Sequence, residues 1–437
     1  MATTTQSSQV PAKAWSVVIA CMISNLSLGI LYAWSVWKVA LVNKAEADLG
    51  HVMTGINQGW PYLTDAQGTL AYAIAGLLMT FTVLPGGRFM GKFGPKVGIT
   101  VGGLLVALGC FVAGLTKSYC GLVIGFGIFC GWGMGFGYAV GTPVALKWFG
   151  PHKRGLIAGL VVAAFGGAAL YIAPLAHYLI THFGLSTSFI SLGIMILVVA
   201  MVAAQFVSNP PVDYVPPAPP VSATAEIKQA AATADWTSKG MLSRWQCYAL
   251  IFLQFSSAQA GLYVIANAVP ILASTAKGVE FLAANIWIIA IVTALGSTLG
   301  RAGSGWYSDK MGRSKAYALN ATISLLCLLA LPTIIEMKSI PLLFLAIFIP
   351  CWQYGGGQAM LPVFTADFFG AKFLHSNYGF VFMGGGICNL YSWGAGHLKD
   401  VTGSYSIGFY ISAVILFVAA CVSLLTKKPV KAGVSNS

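Results

Sequence analysis

Among the residues able to do chemistry, Arg301 stands out by its surroundings. It lies inside an apolar run, eight residues before Asp309, so on a helix rising 1.5 Å per residue it sits about 12 Å in from that charged end. A guanidinium at such depth in a membrane costs at least roughly 3 kcal/mol, which calls for a wet cavity and a partner. The chain's eleven acids, Glu46, Asp48, Asp65, Asp213, Glu226, Asp235, Glu280, Asp309, Glu336, Asp367 and Asp400, fall in loops or at the ends of apolar runs. None is placed to neutralise Arg301. The counter-ion is then an incoming ligand, a small carboxylate gripped by the two-pronged fork that arginine presents. The plainer alternative is a guanidinium that snorkels or bonds backbone carbonyls.

Other chemistries find no constellation. The sequence has no HExxH, no paired catalytic carboxylates and no nucleophile elbow, so no enzyme is expected. Its nine cysteines form no CxxC pair and mostly lie within apolar runs, where cysteine packs as a small hydrophobe; no metal is expected. Glycine-rich stretches at 125–141 and 384–386 lack the strand-loop-helix setting and Lys-Ser/Thr ending of a nucleotide site. Small residues four apart instead let membrane helices pack closely. No cofactor is expected. His177, His182 and His397 titrate in the neutral range as a residue type, but their places near span ends suit interfacial bystanders.

The elements that must hold Arg301 are helices in lipid. Of 437 residues, 57% are hydrophobic and 8% charged, against roughly 25% charged in a soluble domain. Hydropathy predicts spans near 15–37, 66–86, 97–116, 119–146, 155–181, 186–207, 245–273, 281–304, 316–336, 339–366, 377–397 and 404–426. A polar, Pro-rich segment at 208–243, opening NPPVDYVPPAPP, divides six spans (1–207) from six (244–437) and cannot pack a core.

The halves repeat weakly. Gly86 to Lys96 matches Ser304 to Lys315, with Gly94 over Gly312, and Trp148-Phe149-Gly150 matches Phe368-Phe369-Gly370. Two parallel repeats imply a substrate path between them near the bilayer midplane. The net charge of +13 is a matter of sidedness rather than of nucleic acid: seventeen of the 24 Lys and Arg fall on the side of the termini, six on the other, and Arg301 inside a span. The positive-inside rule thus puts both termini in the cytoplasm of a multi-pass protein of the cell (inner or plasma) membrane.

With these residues in view, the chain resembles the major facilitator superfamily. The loop signature GxxxDRxGRR is well formed as Gly305-Trp306-Tyr307-Ser308-Asp309-Lys310-Met311-Gly312-Arg313-Ser314-Lys315, while its first-half copy has Gly91 in place of the acid. Within the superfamily the chain is similar to the oxalate/formate antiporter group and its monocarboxylate transporter relatives. That likeness is carried by Gly29-Ile30-Leu31-Tyr32-Ala33-Trp34-Ser35, Gly137-Tyr138, Lys147-Trp148-Phe149, Gly300-Arg301, Pro362 to Gly370 and Asn377-Tyr378-Gly379.

The resemblance implies an all-α fold of twelve transmembrane helices in two pseudo-symmetric six-helix bundles. It implies secondary transport by alternating access, with Gly305, Asp309, Gly312 and Arg313 forming a conformational latch. Tyr32, Tyr138, Tyr354 and Gln358 stand at family cavity positions beside Arg301, and Leu28 and Asn389 join them by helical spacing and depth. The lysine that pairs with this arginine in oxalate transporters is replaced by Gly385, and Phe165 and Leu31 replace polar groups. One cavity cation suits one carboxylate, so lactate, pyruvate, acetate or formate is expected rather than oxalate. Exchange of formate or oxalate is the alternative.

Proton symport is expected from the monocarboxylate branch, although Ser297 stands where an acid often precedes the arginine. Protonation then falls to the substrate itself or to Lys38, for which a solvated interfacial position is the alternative. The expected partners are a small organic monocarboxylate anion, a proton and the lipid bilayer, with no nucleic acid and a monomeric functional unit.

Overall fold

Lipid offers no hydrogen bonds, so each apolar run must satisfy its own backbone and folds as a helix. The computed structural model describes residues 10–42, 51–149, 154–211, 213, 214, 216, 235–276, 279–370 and 373–429. Most of the Pro-rich segment (217–234), the acids Glu46, Asp48 and Glu226, and Lys44, Lys153, Lys228, Lys277, Lys372 and Lys431 lie outside the described residues. Gly150 does too.

Among the described residues twelve helices are arranged as spans. The first bundle holds α1 (Ala12–Leu41), α2 (Asp65–Phe93), α3 (Pro95–Thr116), α4 (Tyr119–Lys147), α5 (154–183) and α6 (185–206). α5 and α6 meet at Gly184, whose φ of 85° turns the chain without a loop. The second bundle holds α7 (Trp245–Thr275), α8 (Ile288–Met311), α9 (Arg313–Glu336), α10 (Ile340–Phe369), α11 (Leu374–Thr402) and α12 (Ser406–Leu425). Among the described residues ten stretches are long and apolar enough to cross a membrane, α5 and α6 forming one of them. α11 is less apolar, carrying Asn377, Asn389, Ser392, Lys399 and Asp400 along its length, and Asn377, Asn389 and Ser392 are buried. Apolar side chains such as Leu104, Leu115, Leu326, Val414 and Phe417 form the exposed belt.

Both ends of the described chain share one face, termed terminal here, opposite a distal face. The repeat is visible in the backbone, since Gly94 and Gly312 have nearly the same φ, 88° and 90°. Across the bundle interface α2 runs along α11, α1 meets α7, and α5 meets α8.

Two elements depart from expectation in ways that bear on Arg301 and its neighbours. Span 8 was expected at 281–304, but a short helix, Glu280–Ala284, and a turn precede α8, which runs Ile288–Met311. Hydropathy is blind to that break because Ile286, Trp287 and Ile288 are as apolar as the helix. Arg301 consequently lies 13 residues from Ile288 and 10 from Met311, at the middle of the helix. α1 in turn is not uniform, passing through a 3-10 stretch at Gly29–Ala33.

Candidate functional site

Arg301 is brought to the bundle interface by close packing of α8 on α10. A Cβ on Gly300 would lie 2.3 Å from the Trp352 carbonyl oxygen, and one on Gly355 would lie 2.0 Å from that of Ser297. Arg301 is 6% exposed, and its guanidinium reaches across to the first bundle. Its Nη2 donates to the Tyr32 hydroxyl at 3.0 Å, and its Nη1 to the Ser297 hydroxyl at 2.8 Å and carbonyl at 3.2 Å. The hydroxyls of Tyr32 and Tyr354 are 2.9 Å apart, and the Tyr354 ring centre is 5.8 Å from the guanidinium carbon. Every one of these partners is neutral. Arg301 Nε has no partner among the described residues. Room for the guanidinium comes from Gly166 on α5, where a Cβ would sit 2.0 Å from Nη1.

These groups border a cavity of about 40 Å³. At roughly 10–15 Å³ per enclosed water, it holds about three water-sized particles, the scale of a short-chain acid. Arg301, Tyr32, Tyr138, Tyr354, Gln358 and Asn389 all line it, so six of the seven residues singled out for the ligand come together. Phe165, Leu31 and Gly385 also line it, and Met79, Leu262 and Phe382 add apolar wall. Leu28 does not. It was singled out by helical spacing and depth, whereas the 3-10 stretch at Gly29–Ala33 changes the turn per residue just after it. Its Cδ1 instead packs against Gly137.

A second polar cluster closes the distal side. Lys38 is fully buried, which overturns the solvated alternative. Its ammonium lies 2.5 Å from the Asp65 carboxylate and donates to Asn267 of α7 at 2.5 Å. Asp65 also receives the Tyr405 hydroxyl at 3.0 Å and faces the Lys399 ammonium at 3.5 Å, both from the second bundle. Asp400 completes the joint, accepting from the backbone N–H groups of Asp65 and Ala66 at 2.8 Å each. This is a carboxylate seated on a helix N-terminus, a favourable charge-dipole arrangement. Two lysines face two aspartates, so the cluster is neutral in net charge. His177 adds a contact at 3.0 Å to the Ala284 carbonyl, while His182 and His397 are exposed.

On the terminal side, Arg313 pairs with Asp309 one turn away, approaches Asp367 of α10 at 3.8 Å and donates to Ser308 at 2.5 Å. Gly312 makes the turn at φ 90°, and Gly305 faces open space. These latch residues lie within one bundle, at the junction of α8, α9 and α10.

Sequence reasoning missed Gly166, Asp65, Lys399, Asn267 and Tyr405. A usable signal existed only for Asp65: Thr64 and Gln67 form a capping box that marks the first turn of α2, and the bonds between them are present.

The family profile described as Major Facilitator Superfamily matches residues 14–392. The chain belongs to that superfamily, a family of membrane transporters. It is 26% identical over 407 residues to the oxalate:formate antiporter of Oxalobacter formigenes, covering 92% of this chain and 88% of that protein. It is 26% identical over 170 residues to monocarboxylate transporter 13 of Bos taurus, covering 39% of this chain and 36% of that one. A crystal structure of a D-xylose-proton symporter superposes with a TM-score of 0.67 at 14% identity, over 94% of this chain and 97% of that one, a likeness of fold.

Proposed function

We propose that the chain is a secondary transporter of small monocarboxylates, driven by proton symport. The observation that carries this reading is Arg301, a mid-membrane guanidinium bonded only to neutral groups at a cavity the size of a short acid. A carboxylate arriving there supplies the compensating charge, with Tyr32, Tyr138, Tyr354 and Gln358 as supplementary donors and Asn389 on the far wall.

The two bundles, 1–207 and 244–437, rock about this cavity, joined by the segment 208–243, with both termini in the cytoplasm and one chain as the working unit. The distal cluster is the gate on the outer side. Protonation of Asp65, or deprotonation of Lys38, removes one charge from a buried pair and favours its separation, which couples proton movement to opening. Gly305, Asp309, Gly312 and Arg313 act at the cytoplasmic turn, where Arg313 holds α9 to α10 in one of the two states.

Full-length similarity to an oxalate:formate antiporter favours a second reading, anion exchange. Gly385, which brings no cation to the cavity wall, argues against a dicarboxylate. Reconstitution in proteoliposomes separates the readings. Symport gives uptake of labelled lactate, pyruvate or acetate under an inward proton gradient alone, and Arg301→Gln abolishes it. Uptake that requires internal anion and ignores the gradient supports exchange. Full uptake by Arg301→Gln overturns the assignment of the site.

A further inference from the structure

Residues 208–243 are too polar and Pro-rich to pack a core, yet both described ends of that segment are docked on the terminal face. At its start, the Trp148 indole donates to the Ser208 carbonyl at 2.8 Å and the Tyr214 hydroxyl donates to the Trp148 carbonyl at 2.9 Å. At its end, the Trp236 backbone N–H donates to the Phe369 carbonyl at 2.9 Å, the two rings meet edge-on at 6.2 Å, and the Arg244 guanidinium lies over the indole at 4.8 Å. Trp148 and Phe369 belong to the tripeptides that match between the halves, so each end of the segment holds the close of the fourth span of its own bundle.

The second anchor reaches further. Asn377, fully buried in the first turn of α11, donates to the Trp236 carbonyl at 3.0 Å and accepts from the Ser238 hydroxyl at 2.9 Å. Trp236 itself is 6% exposed. The root of α11 is thus fixed to the end of α10 through a residue of the connecting segment. One turn beyond Tyr378, Phe382 lines the central cavity and stacks on Tyr138 of α4, with ring centres 6.4 Å apart and planes 6° from parallel. Tyr378 packs on Phe382 at 5.8 Å. Tyr138 lies nine residues before the end of α4 and Phe382 eight after the start of α11, so at 1.5 Å per residue both are about 12–14 Å in from the terminal face, slightly short of Arg301 at about 15 Å.

We propose that Tyr138 and Phe382, one from each bundle, form the gate on the terminal side of the cavity, and that Trp236 is a positioning residue which holds the Phe382 leaf in place through Asn377. A helix released at its first turn swings most at that end. The distal end of α11 stays pinned to α2 by Lys399 and Asp400, so loosening the Trp236 anchor opens the seam between α2 and α11 on the terminal side alone. The inference rests on the proposed rocking of the two bundles and not on which acid is carried.

Cysteine pairs along that seam read the effect. A Cβ on Gly379 would lie 3.2 Å from Leu84 Cδ2, towards the terminal face, and one on Gly396 would lie 3.1 Å from Thr69 Oγ1, towards the distal face. Leu84→Cys with Gly379→Cys, and separately Thr69→Cys with Gly396→Cys, are oxidised with copper phenanthroline in proteoliposomes of the full chain, with the exposed Cys120 and Cys421 replaced by serine. Trp236→Ala is expected to slow the terminal cross-link by about fivefold or more and to leave the distal one within about twofold. Trp236→Phe, which keeps a ring against Phe369, is expected to restore the wild-type rate. Should Trp236→Ala fail to fold, Asn377→Ala removes both side-chain bonds to the segment and is expected to give the same split. An unchanged terminal rate, or an equal change in both pairs as general loosening would give, overturns the role of Trp236. Phe382→Ala is likewise expected to slow the terminal pair, and an unchanged rate there overturns the gate. Completing the terminal cross-link is expected to stop uptake of labelled lactate, pyruvate, acetate and formate, and reduction to restore it. Uptake that survives a complete cross-link overturns the gate and the rocking together. The split between the two pairs is measured without substrate, so it stands or falls apart from the carboxylate reading.

Discussion

The Lys38 ammonium and the Asp65 carboxylate lie 2.5 Å apart where α1 and α2 reach the distal face, with side chains 0% and 6% exposed. Losing one member of a buried ion pair typically costs about 3–5 kcal/mol, because the survivor is left as an uncompensated charge, whereas losing both is far milder. Asp65→Asn is therefore expected to destabilise the protein by about that amount, and Lys38→Met with Asp65→Asn to recover a large part of it. Thermal melts of the purified variants in detergent check the ordering. A double variant no more stable than Asp65→Asn alone contradicts it.

Tyr32 is the hydrogen-bonding partner that Arg301 finds in the first bundle, accepting a bond of 3.0 Å from a charged donor. Such bonds contribute about 1.5–3 kcal/mol. Tyr32→Phe keeps the ring against Phe165, whose centre is 5.7 Å away, and removes only the hydroxyl. Uptake assays are expected to show KM for the carboxylate raised about tenfold to a hundredfold, with the protein still folded.

Gly300 brings α8 onto α10 so closely that even one methyl meets the Trp352 carbonyl oxygen. Backbone cannot step aside as a side chain does, so Gly300→Ala forces the helices apart at a cost of about 1–3 kcal/mol. The same displacement separates Arg301 from the Tyr354 ring. A lower melting temperature together with reduced uptake is expected, and normal uptake at an unchanged melting temperature refutes the claim.

Asp400 ties the second bundle to α2 through two bonds of 2.8 Å. Asp400→Asn exchanges a carboxylate for a neutral amide and weakens its hold on the helix N-terminus. The distal side then opens more often. A cysteine probe introduced by Ser274→Cys, at a residue lining the 520 Å³ distal vestibule, is expected to react several-fold faster with a membrane-impermeant maleimide. The exposed Cys120 and Cys421 are first replaced by serine.

Much of the architecture was legible because lipid makes composition and period speak plainly. The spans, the internal repeat and the depth of Arg301 all follow from runs of apolar residues and the positions of the few charges. Six of the cavity residues were reached from the sequence as well, Arg301 by its depth, Tyr32, Tyr138, Tyr354 and Gln358 through the family resemblance, and Asn389 by helical spacing and depth. The failures share a physical origin. Leu28 was misplaced by a local change of helix type at Gly29–Ala33 that hydropathy does not register. The Lys38–Asp65 pairing went unseen because the two residues belong to different helices 27 positions apart, and no pattern within either helix reports which span ends converge. Gly166 matters only through the space it leaves.

The seat of Asp400 is made of main chain. Its two donors are the amides of residues 65 and 66, so the grip persists through nearly any exchange of side chain at position 66. Proline is the exception, as it alone brings no N–H. That half of the closure is thereby insulated from sequence drift in α2, and change in its strength must come from the acid on α11.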